Sequence, residues 1–261
     1  MRIRAIGSAG RRLLARFCHA ALAAALLAMA GTGASAKPVE LELILAIDVS
    51  ASVRVEEFDL QMRGYAEAFR TPQLIEAIKT AGGIAVTMMQ WANPDQQDVT
   101  VAWTHVYDET SAEDFAKAID AAPRLFEMGQ TAMGHALEFC LKLFPPKGYE
   151  GRRKVIDVSG DGYSNKGILP NVVRDRAIRA GVTINGLPIT NKERFLAGYY
   201  ERNVIGGAGS FMIVIKDYTT FSEAIVTKLI REVRGQSISF APDDRETDAQ
   251  AAIATDAAAG G

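Results

Sequence analysis

Three short stretches hold the residues best suited to chemistry. In LILAIDVSAS (43–52) an apolar run ends on the carboxylate of Asp48, and hydroxyls follow at alternate positions, Ser50 and Ser52. In GQTAMG (129–134) Thr131 stands at the entrance of an expected helix, and in SGDGYSN (159–165) Asp161 follows an expected strand. Together they supply five oxygen donors with no His or Cys among them. Hard oxygen donors suit Mg²⁺, Mn²⁺ or Ca²⁺ rather than zinc. Two carboxylates and three neutral hydroxyls do not saturate an octahedral dication, so a site built from them keeps an electrophilic position for one more ligand. Taken singly, each piece is ordinary: Asp48 a strand-end acid, Ser50 or Ser52 a helix cap, Asp161-Gly162 a turn. Their joint order carries the reading. Tyr163, Ser164 and Asn165 flank the third stretch and could touch a partner or cap the loop.

The elements that must position these groups alternate along the chain. Leu41–Ile47 and Ile84–Trp91 are near-continuous apolar runs, as expected of parallel strands covered on both faces. Between them Val55, Phe58, Met62, Tyr65 and Phe69 recur at helical spacing and mark one helix face. A turn at 93–97 leads into a strand over Val99–Val106, close enough to form an antiparallel hairpin. Ser111 reads as the N-cap of a helix running to about Ala121, before Pro123, and a second helix follows Thr131. Strands at Lys154–Val158, Val182–Leu187 and Phe211–Ile215 then alternate with helices over Asn171–Ala180, closed by Gly181, around Arg194–Val204, and over Thr220–Val233. The pattern predicts an open, doubly wound α/β sheet of six strands, mostly parallel with one antiparallel edge strand, and helices on both faces. Ligands of such sheets bind beyond the carboxyl ends of the strands. That edge is where all three stretches fall.

The chain of 261 residues, 48% hydrophobic, is long enough for one full-sized core. Its first part reads differently. Five arginines precede an uncharged run, Ala20–Ala30, and Ala34-Ser35-Ala36 offers small residues for signal peptidase. Residues 1–36 are expected to be a signal peptide cleaved after Ala36, since the apolar run is too short to span a bilayer. Residues 37–235 would form the domain, and 236–261, rich in Ala, Asp and Gly, a disordered tail. The expected location is periplasmic or secreted, with no transmembrane anchor left after cleavage. Losing five arginines leaves 24 Lys and Arg against 31 Asp and Glu, a formal net charge of −7. Such an acidic chain is a poor partner for nucleic acid. Cys140 is then the only thiol, at helical spacing with Ala136, Phe139 and Leu143, which suits a buried small hydrophobe.

Asp-x-Ser-x-Ser after a first apolar strand, Gly-x-Thr-x-x-Gly-x-Ala-Leu at 129–137 and Asp-Gly after a fourth core strand resemble a von Willebrand factor type A domain. The resemblance covers about Leu41 to Val233, and more narrowly the chain is similar to a bacterial secreted family, domain of unknown function 1194. It implies a metal-ion-dependent adhesion site. Ser50, Ser52 and Thr131 would ligate Mg²⁺ (or Mn²⁺ or Ca²⁺) directly, and Asp48 and Asp161 directly or through water. The implied partner is a protein whose exposed Asp or Glu completes the shell. The chain departs from the family at one point: many members carry Thr immediately before the second Asp, where Gly160 stands here, with Ser159 one position earlier.

Enzyme readings lack parts. A phosphotransferase or hydrolase using Asp48 as nucleophile would expect a second Asp two residues on, where Ser50 stands. A serine hydrolase would need Gly-x-Ser-x-Gly and a base, yet after residue 36 the histidines are His105, in the expected edge strand, and His135, one turn past Thr131. The expectation is therefore a non-enzymatic, secreted, metal-dependent protein-binding module, with a structural domain whose metal is only a staple as the alternative. Asp161, read as a surface-loop carboxylate, should then be replaceable without loss of fold.

Overall fold

The computed structural model describes residues 36–144 and 148–235; apart from Ala36, the expected signal peptide lies outside them, as does the expected tail. Strands β1 (Lys37–Asp48), β2 (Ile84–Trp91), β3 (Gln97–Val106), β4 (Tyr149–Gly160) and β5 (Val182–Pro188) form one sheet in the order β3-β2-β1-β4-β5. β1 runs parallel to β2, β4 parallel to β5, and β3 closes one edge antiparallel to β2. The helices are α1 (Val55–Arg70), α2 (Pro72–Thr80), α3 (Glu109–Asp120), α4 (Met133–Leu143), α5 (Pro170–Arg179), α6 (Leu196–Asn203) and α7 (Phe221–Arg234).

Period-two alternation sorts the two faces. Leu41, Leu43, Leu45 and Ile47 of β1 pack with Phe58, Met62, Tyr65 and Phe69 of α1 and with residues of α2, α3 and α7. Ile44 and Ala46, pointing the other way, pack with Met133, Ala136, Leu137 and Cys140 of α4 and with residues of α5 and α6. Each such buried side chain contributes roughly 1.5–3 kcal/mol, so a one-residue slip of β1 would exchange its two faces at prohibitive cost.

Two sequence expectations need correction, and one helix was not expected. The sheet has five strands among the described residues, not six. Segment 211–215 lies beside β5 but makes only isolated parallel bridges, Met212 to Gly186 and Ile215 to Ile189, because Gly206 bridges to Ile184 on that same edge. The Asn185 side chain, moreover, takes the Phe211 N–H at 3.0 Å, in place of a backbone carbonyl. The third helix begins at Glu109, capped by Asp108, whose Oδ1 accepts the Ser111 N–H at 2.8 Å. Ser111 is the answering partner of that capping box, not its start. Helix α2 went unread; its signal is Pro72 at the first helical position after Thr71.

The registers bring the strand ends level. Asp48 pairs with Trp91 at the end of β2, and Gly160 with Pro188 at the end of β5. The loops that leave β1, β4 and β5 therefore start from one edge. Among the described residues no helix is long and apolar enough to cross a membrane.

Candidate metal centre

Loop 49–54 leaves β1 in a tight turn, closed by Val53 N–H donating to Ser50 O at 3.0 Å and held from outside by Arg124. That guanidinium donates to the carbonyls of Val49 at 2.9 Å, Ser50 at 3.3 Å and Val53 at 2.8 Å. The turn is then tied to the next loop by Ala51 N–H on Gly129 O at 2.9 Å. The loop after β4 joins through Asn165, whose N–H donates to Thr131 O and whose Oδ1 accepts Thr131 N–H, both at 3.0 Å. Gly134 lets α4 approach that loop: a Cβ there would stand 2.0 Å from Ile168 O.

These ties bring all five predicted donors together. Ser50 Oγ lies 3.1 Å from Ser52 Oγ and accepts from Thr131 Oγ1 at 3.4 Å. Ser52 Oγ donates to Asp161 Oδ1 at 2.5 Å, and Ser50 N–H donates to Asp48 Oδ1 at 2.8 Å. Asp161 is not the surface carboxylate expected: it is 1% exposed, closed over by its partners. Asp48 is fully buried, and its Oδ2 has no hydrogen-bond partner among the described residues.

The electrostatics follow from that burial. Loss of water, reinforced by the charge of Asp161, pushes the Asp48 carboxyl up to about 7 against the bonds from Ser50 and the nearby Arg124. The hydroxyls of Tyr200 and Tyr218 are also buried without partners among the described residues, and burial together with the two aspartates raises both phenol pKa values. Gly160, which stands where the resembled type A pattern often has Thr, has its reason here. A Cβ at that position would stand 2.9 Å from Asp48 Oδ2 and 3.0 Å from the Tyr200 hydroxyl, so the Asp48 carboxylate and the Tyr200 hydroxyl fill the space a threonine would need.

The donor set fits a hard divalent ion. Three hydroxyls and two carboxylates converge, and an unpartnered buried carboxylate oxygen calls for a cation or a proton. Among the described residues no three His, Cys, Asp or Glu side chains form a metal cluster, which leaves the hydroxyls indispensable to any such site. Tyr163 packs edge-on against Tyr199, with centroids 5.0 Å apart, and Ser164 Oγ donates to Thr131 O at 3.2 Å. Tyr163 and Asn165 also line a cleft of about 290 Å³ over Ser52, Thr131 and Asp161. His135 is taken up by packing, its Nδ1 accepting the Ile168 N–H at 3.3 Å.

Sequence reading missed Arg124, Glu57 and Lys192. Lys192, in the loop after β5, donates to Asp161 Oδ2 at 2.8 Å, to Glu57 Oε2 at 3.2 Å and to the Ser52 carbonyl. Its only signal was topological: a cation in a loop that leaves the carboxyl edge.

The family profile described as "Protein of unknown function (DUF1194)" matches residues 38–237. No curated protein matches the sequence. Among solved structures, proximal thread matrix protein 1 from the mussel byssus, in a form with a zinc-occupied adhesion-site motif, is 18% identical at a TM-score of 0.51, the match covering 75% of this chain and 46% of that one. A von Willebrand factor type A protein from Catenulispora acidiphila is 17% identical at 0.51, covering 75% and 43%. The von Willebrand domain of a type V pili tip protein from Porphyromonas gingivalis is 9% identical at 0.53, covering 75% and 95%. This chain spans less than half the length of the first two. The likeness establishes the fold, which is that of a von Willebrand type A domain.

Proposed function

The chain belongs to the family described as "Protein of unknown function (DUF1194)", and from the geometry of its site we propose that it is a metal-dependent protein-binding module of the adhesion type. The observation that carries the reading is the buried, unpartnered Asp48 Oδ2 beside three convergent hydroxyls. Ser50, Ser52 and Thr131 would hold Mg²⁺, or Mn²⁺ or Ca²⁺, directly, with Asp48 and Asp161 direct or water-linked ligands. The ion would supply an electrophilic position for a partner's carboxylate, which adds a short charge-assisted contact and displaces only a water.

The protein's own groups do the rest. Arg124 fixes the turn that aims Ser50 and Ser52, Asn165 orients Thr131, and the cleft lined by Tyr163 and Asn165 admits the ligand. A protein ligand is favoured by apolar surface nearby: Val55 and Met128 stand exposed along a groove to which Arg124 also contributes. Export fits this role, with cleavage after Ala36 releasing the domain at 37–235 to the periplasm or beyond. Proteins of similar fold include a matrix protein of the mussel byssus and a type V pili tip protein.

A pull-down from the periplasmic or secreted fraction, run in Mg²⁺ and again in EDTA, tests the reading. The expected result is partner capture in Mg²⁺ that EDTA and a Ser50→Ala/Ser52→Ala bait both abolish. Capture retained equally by both would make the metal a staple and not the recognition element.

A further inference from the structure

Lys192 is placed where a mobile surface lysine would gain little. Its ammonium carries three donors and meets three acceptors: Asp161 Oδ2 at 2.8 Å, Glu57 Oε2 at 3.2 Å and the Ser52 carbonyl. Asp161 Oδ1 takes the Ser52 hydroxyl at 2.5 Å, so both oxygens of this aspartate are engaged, one of them by a cation of the chain itself.

The perch beneath Lys192 is built from the opposite side of the site. Glu57, in the first turn of α1, is buried at 4% exposure and fixed by the Arg54 N–H at 2.8 Å. Its other oxygen accepts from Asn191 Nδ2 at 3.1 Å, which sets the backbone next to Lys192 in place. Glu57 therefore does more than cap its own helix. It holds the loop after β5, and the lysine with it, against the rim of the site.

We propose that Lys192 is a tethered competitor of the divalent ion, a built-in cation that sets how tightly the site binds and which charge it accepts. The inference rests on the metal reading given above. Ammonium and metal draw on the same groups, Asp161 and the Ser52 residue, and two cations sharing one carboxylate repel each other. A monovalent ion offers Asp161 no more charge than Lys192 already does, so the tether discriminates in favour of dications. It also leaves the loaded site more positive than its aspartates alone would, which suits an anionic ligand.

The test is a Mn²⁺ titration of the purified chain, free Mn²⁺ being read by electron paramagnetic resonance, for wild type, Lys192→Met, Lys192→Gln and Lys192→Arg. Met keeps the stem, Gln keeps a hydrogen-bonding head, and Arg keeps the charge. Removing the charge should tighten Mn²⁺ binding about ten-fold or more in both neutral variants, with one ion still bound, while Lys192→Arg stays near wild type. A lysine that only braces its loop would give weaker or unchanged binding in the neutral variants, and that result overturns the assignment. Gln guards against a Met variant that packs badly, with circular dichroism reporting the fold of each. If neither wild type nor any variant binds Mn²⁺, the metal reading itself fails and this inference with it. If wild type binds and the neutral variants bind no tighter, only the role of Lys192 falls.

Discussion

Asp48 begins a site and ends a strand, and both facts follow from the same burial. Its Oδ1 is satisfied by the Ser50 N–H and its Oδ2 by nothing among the described residues, so in the absence of a metal burial pushes the carboxyl pKa up to about 7. An acid whose folded pKa lies above its unfolded one contributes stability that is present at low pH and lost as the pH rises through the folded value. Without divalent ions, denaturant midpoints should therefore fall between about pH 4 and pH 7 and level off above, by an amount on the order of a few kcal/mol at most. Asp48→Asn should be the more stable protein at pH 8 and should show a shallower slope. Some slope will remain, because burial and then the charge of Glu232 raise the Asp157 carboxyl against the pull of Lys228, with the same sign. A slope unchanged in Asp48→Asn would mean that the orphaned oxygen has a partner in solution. At this scale the five donors were legible because short-range spacing placed them. Lys192 and Glu57 were not, because they lie 135 positions apart and meet only when the loop after β5 folds across α1.

Loops hold the site, but helices and strands set where the loops begin. The alternation in β1 and the 3.6-residue stripe of α1 were readable because burial imposes those periods. The sixth strand was misread because an apolar segment of strand type at 211–215 finds the edge of β5 already shared with Gly206. Nor could a start at Ser111 be told from one at Asp108, since each supplies half of one capping box. The approach of α4 to the loop after β4 depends on a missing side chain. Gly134→Ala would place its Cβ 2.0 Å from the Ile168 carbonyl, contact that only backbone movement relieves. It should cost roughly 1–3 kcal/mol in chemical denaturation. Because Ile168 lies in the loop that carries Asp161, it should also weaken cation binding. A variant as stable and as tightly metal-binding as wild type would show that the two elements are free to slide.

Across the whole molecule, charge and local chemistry pull in opposite directions. From residue 37 onward the formal net charge is −7, which opposes an acidic partner at long range. Screening confines that opposition to about 8 Å at physiological salt, whereas an ion in the site would meet a carboxylate at about 2 Å. The local attraction should prevail once a dication is held, which makes cation binding the step on which every later one depends. Isothermal titration of Mg²⁺ or Mn²⁺ into the purified chain, beside the Ser50→Ala/Ser52→Ala variant, measures that step directly. The structure predicts one bound ion in wild type and none in a variant that keeps its helical circular-dichroism signal; a folded wild-type protein that binds neither cation would contradict it.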